Sequence, residues 1–179
     1  INNLAKWLEI NPYELLKNTF SGSGYDIACA ENNSPIVFKL EENNPVVKQI
    51  DFNPEFSDNL FFVYLNKKQN SRSAIANYYN KQFRISNTIE KINQITTEIQ
   101  QTKSLSEFAY LLEKHEVIMS NVLEMQTIKE AFFSDFKGTV KSLGAWGGDF
   151  VLAVSKENPV EYFKQKGLEV VIPYKGMIL

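Results

Sequence analysis

The order of strand and helix patterns after residue 60 constrains the fold of this chain more than any other feature. Residues 60–65, LFFVYL, form an apolar run between polar residues, which is typical of a strand buried on both faces. Further strand patterns occur at 139–143, 150–154 and 169–173. Helical patterns follow the first and third of these strands, and only a loop separates the middle two. This order predicts an α+β fold close to a split β-α-β, or ferredoxin-like, sandwich.

Apolar spacing and end signals locate the helices of this region. Ser104 and Glu107 have the S-x-x-E spacing of a capping box. Four isoleucines recur at helical spacing on an otherwise polar segment, and we expect them to pack on the core: Ile89, Ile92, Ile95 and Ile99. The predicted helices are 71–79, 86–101, 105–124, 127–136 and 159–166.

The polar, irregular segment 53–58 separates a shorter N-terminal part. We predict a helix over 3–19 that restarts at Asn11-Pro12, followed by strands at 36–40 and 45–50. The chain opens with Ile1 inside a helical pattern, which indicates that an N-terminal part of the protein precedes it. The predicted units are residues 1–57 and 58–179.

Composition and charge exclude several function classes. Hydrophobic residues make up 44% of the chain, which excludes disorder over its whole length. With 19 Lys and Arg against 21 Asp and Glu the net charge is −2, and no basic stripe is present, so we expect no nucleic-acid partner. One cysteine and one histidine exclude a disulfide framework and Cys-rich or His-His metal motifs. No apolar run reaches about 18 residues, and residues 1–10 lack signal-peptide features, so we expect a cytoplasmic protein with no membrane partner.

The first of two glycine segments is Ser21-Gly22-Ser23-Gly24-Tyr25-Asp26. Glycines allow the backbone to approach a ligand closely, and Asp26 would then accept a proton from a substrate hydroxyl or orient it. The alternative is a flexible connection in which Asp26 caps a short helix. Spacing by itself favours the alternative.

The second glycine segment is Gly144-Ala145-Trp146-Gly147-Gly148-Asp149, between two predicted strands. Its backbone N–H groups could form a phosphate-binding nest, or it could be a hairpin in which Trp146 packs as an anchor. The segment matches neither G-x-x-x-x-G-K-[ST] nor G-x-G-x-x-G, so the ordinary nucleotide-binding motifs are absent.

Together the two segments resemble GHMP kinases, the superfamily of galactokinase, homoserine kinase, mevalonate kinase and phosphomevalonate kinase. SGSGYDIACA at 21–30 is similar to the family segment that carries the catalytic aspartate, and KSLGAWGGDF at 141–150 is similar to its third motif, S-G-A-G-G-G-D. GYDIA and GAWGGDF also resemble a bacterial group known as the GYDIA family of GHMP kinases. The resemblance covers nearly the whole chain.

This resemblance implies a GHMP kinase C-terminal half. Residues 1–57 would be the end of a ribosomal-S5-like N-terminal domain, and 58–179 a ferredoxin-like C-terminal domain. The first motif and the second, P-x-x-x-G-L-G-S-S-A, are absent, and they would lie in the missing N-terminal half together with the magnesium ligands. Leu143 and Trp146 depart from the serine and second glycine of the third motif, which bears on the substrate more than on the fold.

The implied activity is that of an ATP- and Mg²⁺-dependent kinase that phosphorylates a hydroxyl or phosphate of a mevalonate-like metabolite. Asp26 would be the catalytic residue, Ser21–Tyr25 would bind the small-molecule substrate, and Gly144–Asp149 would bind the ATP phosphates. No metal ligand is assigned in this chain. The other interpretation is a non-catalytic binding or regulatory module with the GHMP shape, which Leu143 and Trp146 favour.

Apolar residues within 1–50 would be left exposed by the missing half. We therefore expect this chain to associate with that half or with itself as a homo-oligomer, and to be inactive alone.

Three other features have structural interpretations. His115 is predicted to be a surface or packed helical histidine, although it could face a cleft as an acid or base. Cys29 is expected to be a small buried residue. Lys67 and Lys68 are expected to belong to a solvated basic loop ahead of a helix at Ser71.

Overall fold

A computed structural model describes residues 1–18, 22–66, 86–144 and 148–178, and these residues divide into two compact units, Ile1–Asn53 and Pro54–Ile178. The helix predicted at 71–79, the basic loop at Lys67 and Lys68, and Ala145–Gly147 lie outside the described residues. Within the described part of the chain, no helix is both long and apolar enough to cross a membrane.

Residues 1–53 contain three short helices and one hairpin. The helices are α1 (Asn2–Leu8), α2 (Pro12–Lys17) and α3 (Tyr25–Glu31), and the strands are β1 (Ile36–Glu41) and β2 (Asn44–Gln49). The predicted helical restart is confirmed, because the Asn11 side chain accepts a hydrogen bond from the Tyr13 backbone N–H at 2.8 Å and Pro12 begins α2.

The antiparallel β1–β2 hairpin turns through Glu42 and Asn43. Both residues have positive φ, 49° and 64°, as a two-residue turn compatible with strand twist requires. The strands predicted at 36–40 and 45–50 are therefore confirmed, and the structure pairs them as a hairpin.

The described residues of 54–178 form a four-stranded antiparallel sheet with helices. A 3₁₀ turn, Ser57–Asn59, leads into β3 (Leu60–Tyr64). The remaining elements are α4 (Ser86–Gln101), α5 (Leu105–Leu123), α6 (Ile128–Phe132), β4 (Thr139–Ser142), β5 (Phe150–Val154), α7 (Val160–Gln165), β6 (Val171–Pro173) and α8 (Tyr174–Met177). The strand order is β4-β5-β3-β6, so β3 and β5 lie in the middle of the sheet. The α+β prediction is confirmed, with the connections of a split β-α-β unit.

The core of this unit lies on one face of the central strands. Val63, Val151, Ala153 and Phe163 are fully buried there. Phe133 and Phe136 pack on Phe163 with ring centroids 5.4 and 5.2 Å apart, as expected for aromatic rings that bury much apolar area.

The helix ends differ in part from the sequence-based expectations. Ser104 is the N-cap of α5, as predicted, but the reciprocal capping box is formed by Thr127 and Glu130 at the start of α6. The helix predicted over 127–136 ends at Phe132, β6 is shorter than 169–173, and α8 was not predicted. Of the isoleucine stripe, Ile95 is buried, whereas Ile89 remains 45% exposed.

Gly138, just before β4, lies at a tightly packed end of the sheet. A Cβ there would lie 2.2 Å from the Val154 carbonyl oxygen and 2.7 Å from the Phe136 ring, so backbone must move to admit it. We expect Gly138→Ala to lower the free energy of unfolding by about 1–3 kcal/mol, measured by urea denaturation. Gly176→Ala is the control, because its nearest atom is a side-chain methyl of Ile172 at 3.4 Å. Equal stability of the two variants would contradict the tight packing around Gly138.

Candidate functional site

The turn before α3 depends on two glycines. Gly22 and Gly24 have φ of +122° and +82°, in the region that favours glycine. A Cβ at Gly24 would lie 2.7 Å from two carbons of the Tyr13 ring, so a larger residue requires Tyr13 to shift. The Ser23 hydroxyl accepts a hydrogen bond from the Tyr25 backbone N–H at 3.2 Å. Ser21, the first residue of the predicted segment, is outside the described ranges.

Asp26 lies in the first turn of α3 with its side chain exposed. The alternative interpretation placed Asp26 at the start of a short helix, which is correct, but the N-cap residue is Gly24, so its interpretation of Asp26 as the cap is wrong. A carboxylate in the first helical turn still interacts favourably with the free N–H groups there. The turn thus presents Asp26 to solvent on a backbone held by Gly24 and Ser23.

Tyr25 and Cys29 lie one turn apart on α3. The Tyr25 ring packs edge-on against Phe38 of β1, with centroids 5.7 Å apart. A hydrogen bond with Cys29, together with partial burial, raises the pKa of Tyr25 to about 12. Cys29 is exposed, so the expectation of burial is wrong. Because α3 turns Ile27 inward, Cys29 falls on the outer side of the helix.

The second glycine segment is held at both ends by strand pairing. The Leu143 N–H donates to the Phe150 carbonyl at 3.2 Å, and the Leu65 N–H donates to the Asp149 carbonyl at 2.7 Å. Gly144 has φ of +71°, and a Cβ at Gly148 would lie 2.6 Å from the Leu143 carbonyl oxygen. The segment therefore begins and ends at defined positions, and backbone geometry favours glycine at Gly144 and Gly148. Asp149 and Gly144 are exposed.

A buried carboxylate lies beside the strand that leads into this segment. Glu116 of α5 is 2% exposed. It accepts hydrogen bonds from the Ser142 backbone N–H at 3.0 Å and the Ser142 hydroxyl at 3.4 Å, and its Oε1 lies 3.4 Å from the Lys141 Nζ. Burial raises the pKa of Glu116, while Lys141 and the Ser142 N–H oppose that shift. Burial also lowers the pKa of Lys141, with Glu116 opposing it.

His115 lies next to this pair. Its Nδ1 is buried and has no hydrogen-bond partner in the described part of the chain. Burial and the nearby Lys141 ammonium lower the pKa of His115 to about 4. The prediction of a packed helical histidine describes it better than that of an acid or base facing a cleft, because its Nδ1 is buried.

The structure thus groups the predicted residues into two sets. Gly22–Asp26 lie together in residues 1–53. Gly144, Gly148 and Asp149 lie together in residues 54–178. Among the described residues, no group of three His, Cys, Asp or Glu side chains could hold a metal ion.

Comparison with solved structures shows which proteins have a similar fold. No family model matches the sequence, and no curated protein matches it. Among solved structures, the L. major mevalonate kinase in complex with R-mevalonate aligns with a TM-score of 0.63 at 15% identity, over 84% of this chain and 51% of that one. The Lin0012 protein from Listeria innocua aligns with a TM-score of 0.63 at 14% identity, over 93% of this chain and 59% of that one. The fold is GHMP-kinase-like. The chain spans a little over half the length of these two proteins.

The Glu116–Lys141 pair was not predicted from the sequence. The signal was present, because Lys141 interrupts an otherwise uncharged strand pattern and Glu116 precedes the apolar run VIM in a helix. A charged residue inside a buried element usually has a partner. The identity of that partner depends on how α5 lies against β4.

The lowered pKa of His115 predicts a pH dependence of stability. An unfolded histidine titrates near pH 6.5, whereas folded His115 titrates at about 4. Below the unfolded pKa the unfolded chain takes up a proton that the folded chain does not, so stability falls from pH 6.5 towards 4.

We expect His115→Gln to reduce this loss. Urea denaturation of both proteins at steps from pH 7.5 to 4 measures it. Glu116 titrates identically in both to a first approximation, so the difference between the two profiles isolates His115. Superimposable profiles of stability against pH would contradict the lowered pKa of His115.

Proposed function

We propose that the protein to which this chain belongs is an ATP- and Mg²⁺-dependent kinase of the GHMP type. It would transfer the γ-phosphoryl group of ATP to a hydroxyl or phosphate oxygen of a mevalonate-like metabolite. In this proposal residues 1–57 complete an S5-like N-terminal domain, residues 58–179 form the ferredoxin-like C-terminal domain, and the chain belongs to the GYDIA group.

One observation carries the proposal. A GHMP-like fold and two glycine segments resembling that family's motifs occur in the same chain, in the family's order. The fold by itself would not indicate an activity. The first segment adds the exposed carboxylate of Asp26. The second adds a glycine-rich backbone that begins at Gly144 with positive φ.

Asp26 is the proposed catalytic residue. Its carboxylate is exposed at the start of α3, on a turn shaped by Gly22 and Gly24. There it would accept or orient the proton of the attacking oxygen as that oxygen bonds to phosphorus and ADP leaves. Ser23, Gly24 and Tyr25 would contact the substrate, along with Ser21 of the same segment.

The segment from Gly144 to Asp149 is the proposed phosphate site. Gly144 has a positive φ of +71°, and a residue in the left-handed region is one part of the backbone pattern from which an anion-binding nest can be built. N–H groups already aimed at a developing negative charge stabilise it without reorganisation. ATP would supply the phosphoryl group bound here.

The magnesium ligands are expected in the preceding half of the protein, as the resemblance to GHMP kinases implies. Cytoplasmic location and the association with that half stay predictions of the same proposal. The alternative, a binding module without catalysis, predicts no ATP turnover by the intact protein.

We expect Asp26→Asn in the intact protein to lower kcat by about 10²–10⁴-fold, with little change in the KM for ATP. The substitution keeps the shape of the side chain and removes its negative charge. A coupled ADP-release assay with mevalonate-like acceptors measures it. Asp51→Asn, which removes another exposed carboxylate of the same unit, is the control. Unchanged kcat in Asp26→Asn would remove Asp26 from the site.

The 179-residue chain alone is expected to produce no ADP. The second glycine segment supplies only part of the proposed phosphate site, and the described residues lack a magnesium cluster. Purified chain and intact protein are compared in the same assay, with Mg²⁺ and each acceptor. Magnesium-dependent ADP release by the chain alone would contradict this division of the site.

A further inference from the structure

A cavity of about 510 Å³ lies beside α5, at the ends of β4 and β5 that are remote from the glycine segment. Thr139 begins β4 and Val154 ends β5, and these two paired residues both line the cavity. The glycine segment joins the other ends of the same strands, Ser142 and Phe150. None of the described residues that are proposed for substrate or phosphate binding lines this cavity. Its volume is in the range of small-molecule sites.

Three lysines from different parts of the chain line the cavity. They are Lys129 of α6, Lys137 before β4 and Lys156 after β5. Glu113 and Glu157 line it too, but both are exposed, whereas Lys129 is half-buried. In the part of the chain that the structure describes, none of the three lysines forms an ion pair. The least exposed charge of the cavity is therefore positive and has no counter-charge from the protein.

The Lys129 ammonium is held in one place and keeps free donors. Its Nζ donates a hydrogen bond to the Gly138 carbonyl at 2.8 Å. Within the described residues this is its only hydrogen bond, and an ammonium has three N–H donors. Two donors of Lys129 are therefore left for a ligand in the cavity.

A nearly buried hydroxyl in the cavity also lacks a protein partner. Thr139 is 7% exposed, yet its hydroxyl makes no hydrogen bond to the described part of the chain. Among the described residues, His115 Nδ1 is the one fully enclosed side-chain atom without a partner, so the Thr139 hydroxyl still reaches the space of the cavity. A buried polar group normally has a partner, and here a ligand would supply it.

Apolar side chains line the cavity beside these polar groups. Leu105 and Ala109 of α5 are half-buried, and Val154 of β5 is buried. A ligand with a short hydrocarbon part would cover this surface and gain from removing it from water. An inorganic anion would leave the apolar surface uncovered.

We propose that this cavity binds a small organic phosphate, with its phosphate group at Lys129 and Thr139 and its hydrocarbon part against Leu105, Ala109 and Val154. Phosphate fits better than carboxylate, because it has three acceptor oxygens and close to two negative charges. The converging donors are two N–H groups of Lys129 and the Thr139 hydroxyl, with Lys137 and Lys156 nearby. The proposal does not rest on the kinase activity, since its residues are not those of the proposed kinase site.

Phenyl phosphate is the probe, and its binding to the intact protein is measured by titration calorimetry. Saturating Mg·ADP is present throughout, so that the proposed nucleotide site is occupied if it exists. We expect phenyl phosphate to bind about tenfold more tightly than inorganic phosphate, because of the added apolar contact, and phenol not to bind. Equal affinities for the two phosphates, or no phenyl phosphate binding beside Mg·ADP, would overturn the proposal.

A charge-matched pair of variants tests the lysines. Lys137→Met combined with Lys156→Met removes two charges from the cavity and leaves the bond from Lys129 to Gly138 intact. We expect this variant to raise the Kd of phenyl phosphate about tenfold, since charge-assisted bonds are strong. Lys164→Met with Lys175→Met, two exposed lysines of the same unit that do not line the cavity, is the control and should keep the wild-type Kd. An equal rise in both would indicate a general effect of charge and overturn the site.

The hydroxyl and the space are tested separately. Thr139→Val removes the hydroxyl and nearly keeps its shape, and we expect it to raise the Kd about tenfold without lowering Tm, because the hydroxyl has no protein partner to lose. Ala109→Leu fills part of the cavity and should weaken binding at least as much. Ala131→Leu, at an exposed position of α6 outside the cavity, is its control and should bind like the wild type. An unchanged Kd in Thr139→Val or in Ala109→Leu would overturn the proposal.

Discussion

The pairing of β3 with β5 is the constraint on which residues 54–178 depend. Both strands are apolar runs, and their register joins Leu60 to Val154 and Tyr64 to Phe150. The same pairing continues past the strand ends, where the Leu65 N–H meets the Asp149 carbonyl. The end of the glycine segment is therefore placed by the hydrophobic centre of the sheet. A shift of one residue would turn Val63 and Val151 out of the core and move the segment with them.

The start of that segment is held by strand pairing as well, through the hydrogen bond from the Leu143 N–H to the Phe150 carbonyl. Polar chemistry is added there, because α5 supplies the Glu116 carboxylate to the outward N–H group of Ser142. Burying Glu116 raises its pKa, so the arrangement carries a desolvation cost that Lys141 and Ser142 offset. The neutral ring of His115 beside them adds no further charge. Polar contacts thus support the start of the glycine segment in addition to strand pairing.

Sequence patterns predicted most of the elements, because strand and helix periodicity are local. LFFVYL, FVLAV and the restart at Pro12 each contain their own signal. The Glu116–Lys141 pair was not predictable, since its partners are 25 residues apart and meet only once the helix and edge strand are docked. Cys29 was placed wrongly for another reason. YDIACA is too short and too uniformly small to show a helical period, so composition suggested burial where α3 exposes the thiol.

The two glycine segments share one backbone constraint. At Gly24 the Tyr13 ring excludes a side chain, and at Gly148 the Leu143 carbonyl does, so each turn is specified by its backbone. This bears on Leu143, where the GHMP pattern has serine. The Leu143 N–H is already used in pairing with Phe150, and the substitution changes a side chain without altering the path of the backbone. A phosphate site built from N–H groups tolerates that change, because its donors are the same in serine and leucine. What the change removes is a hydroxyl that could contact an acceptor. Within the proposed function, Leu143 therefore bears on which metabolite is phosphorylated, and Gly144 and Gly148 on whether phosphate is held at all.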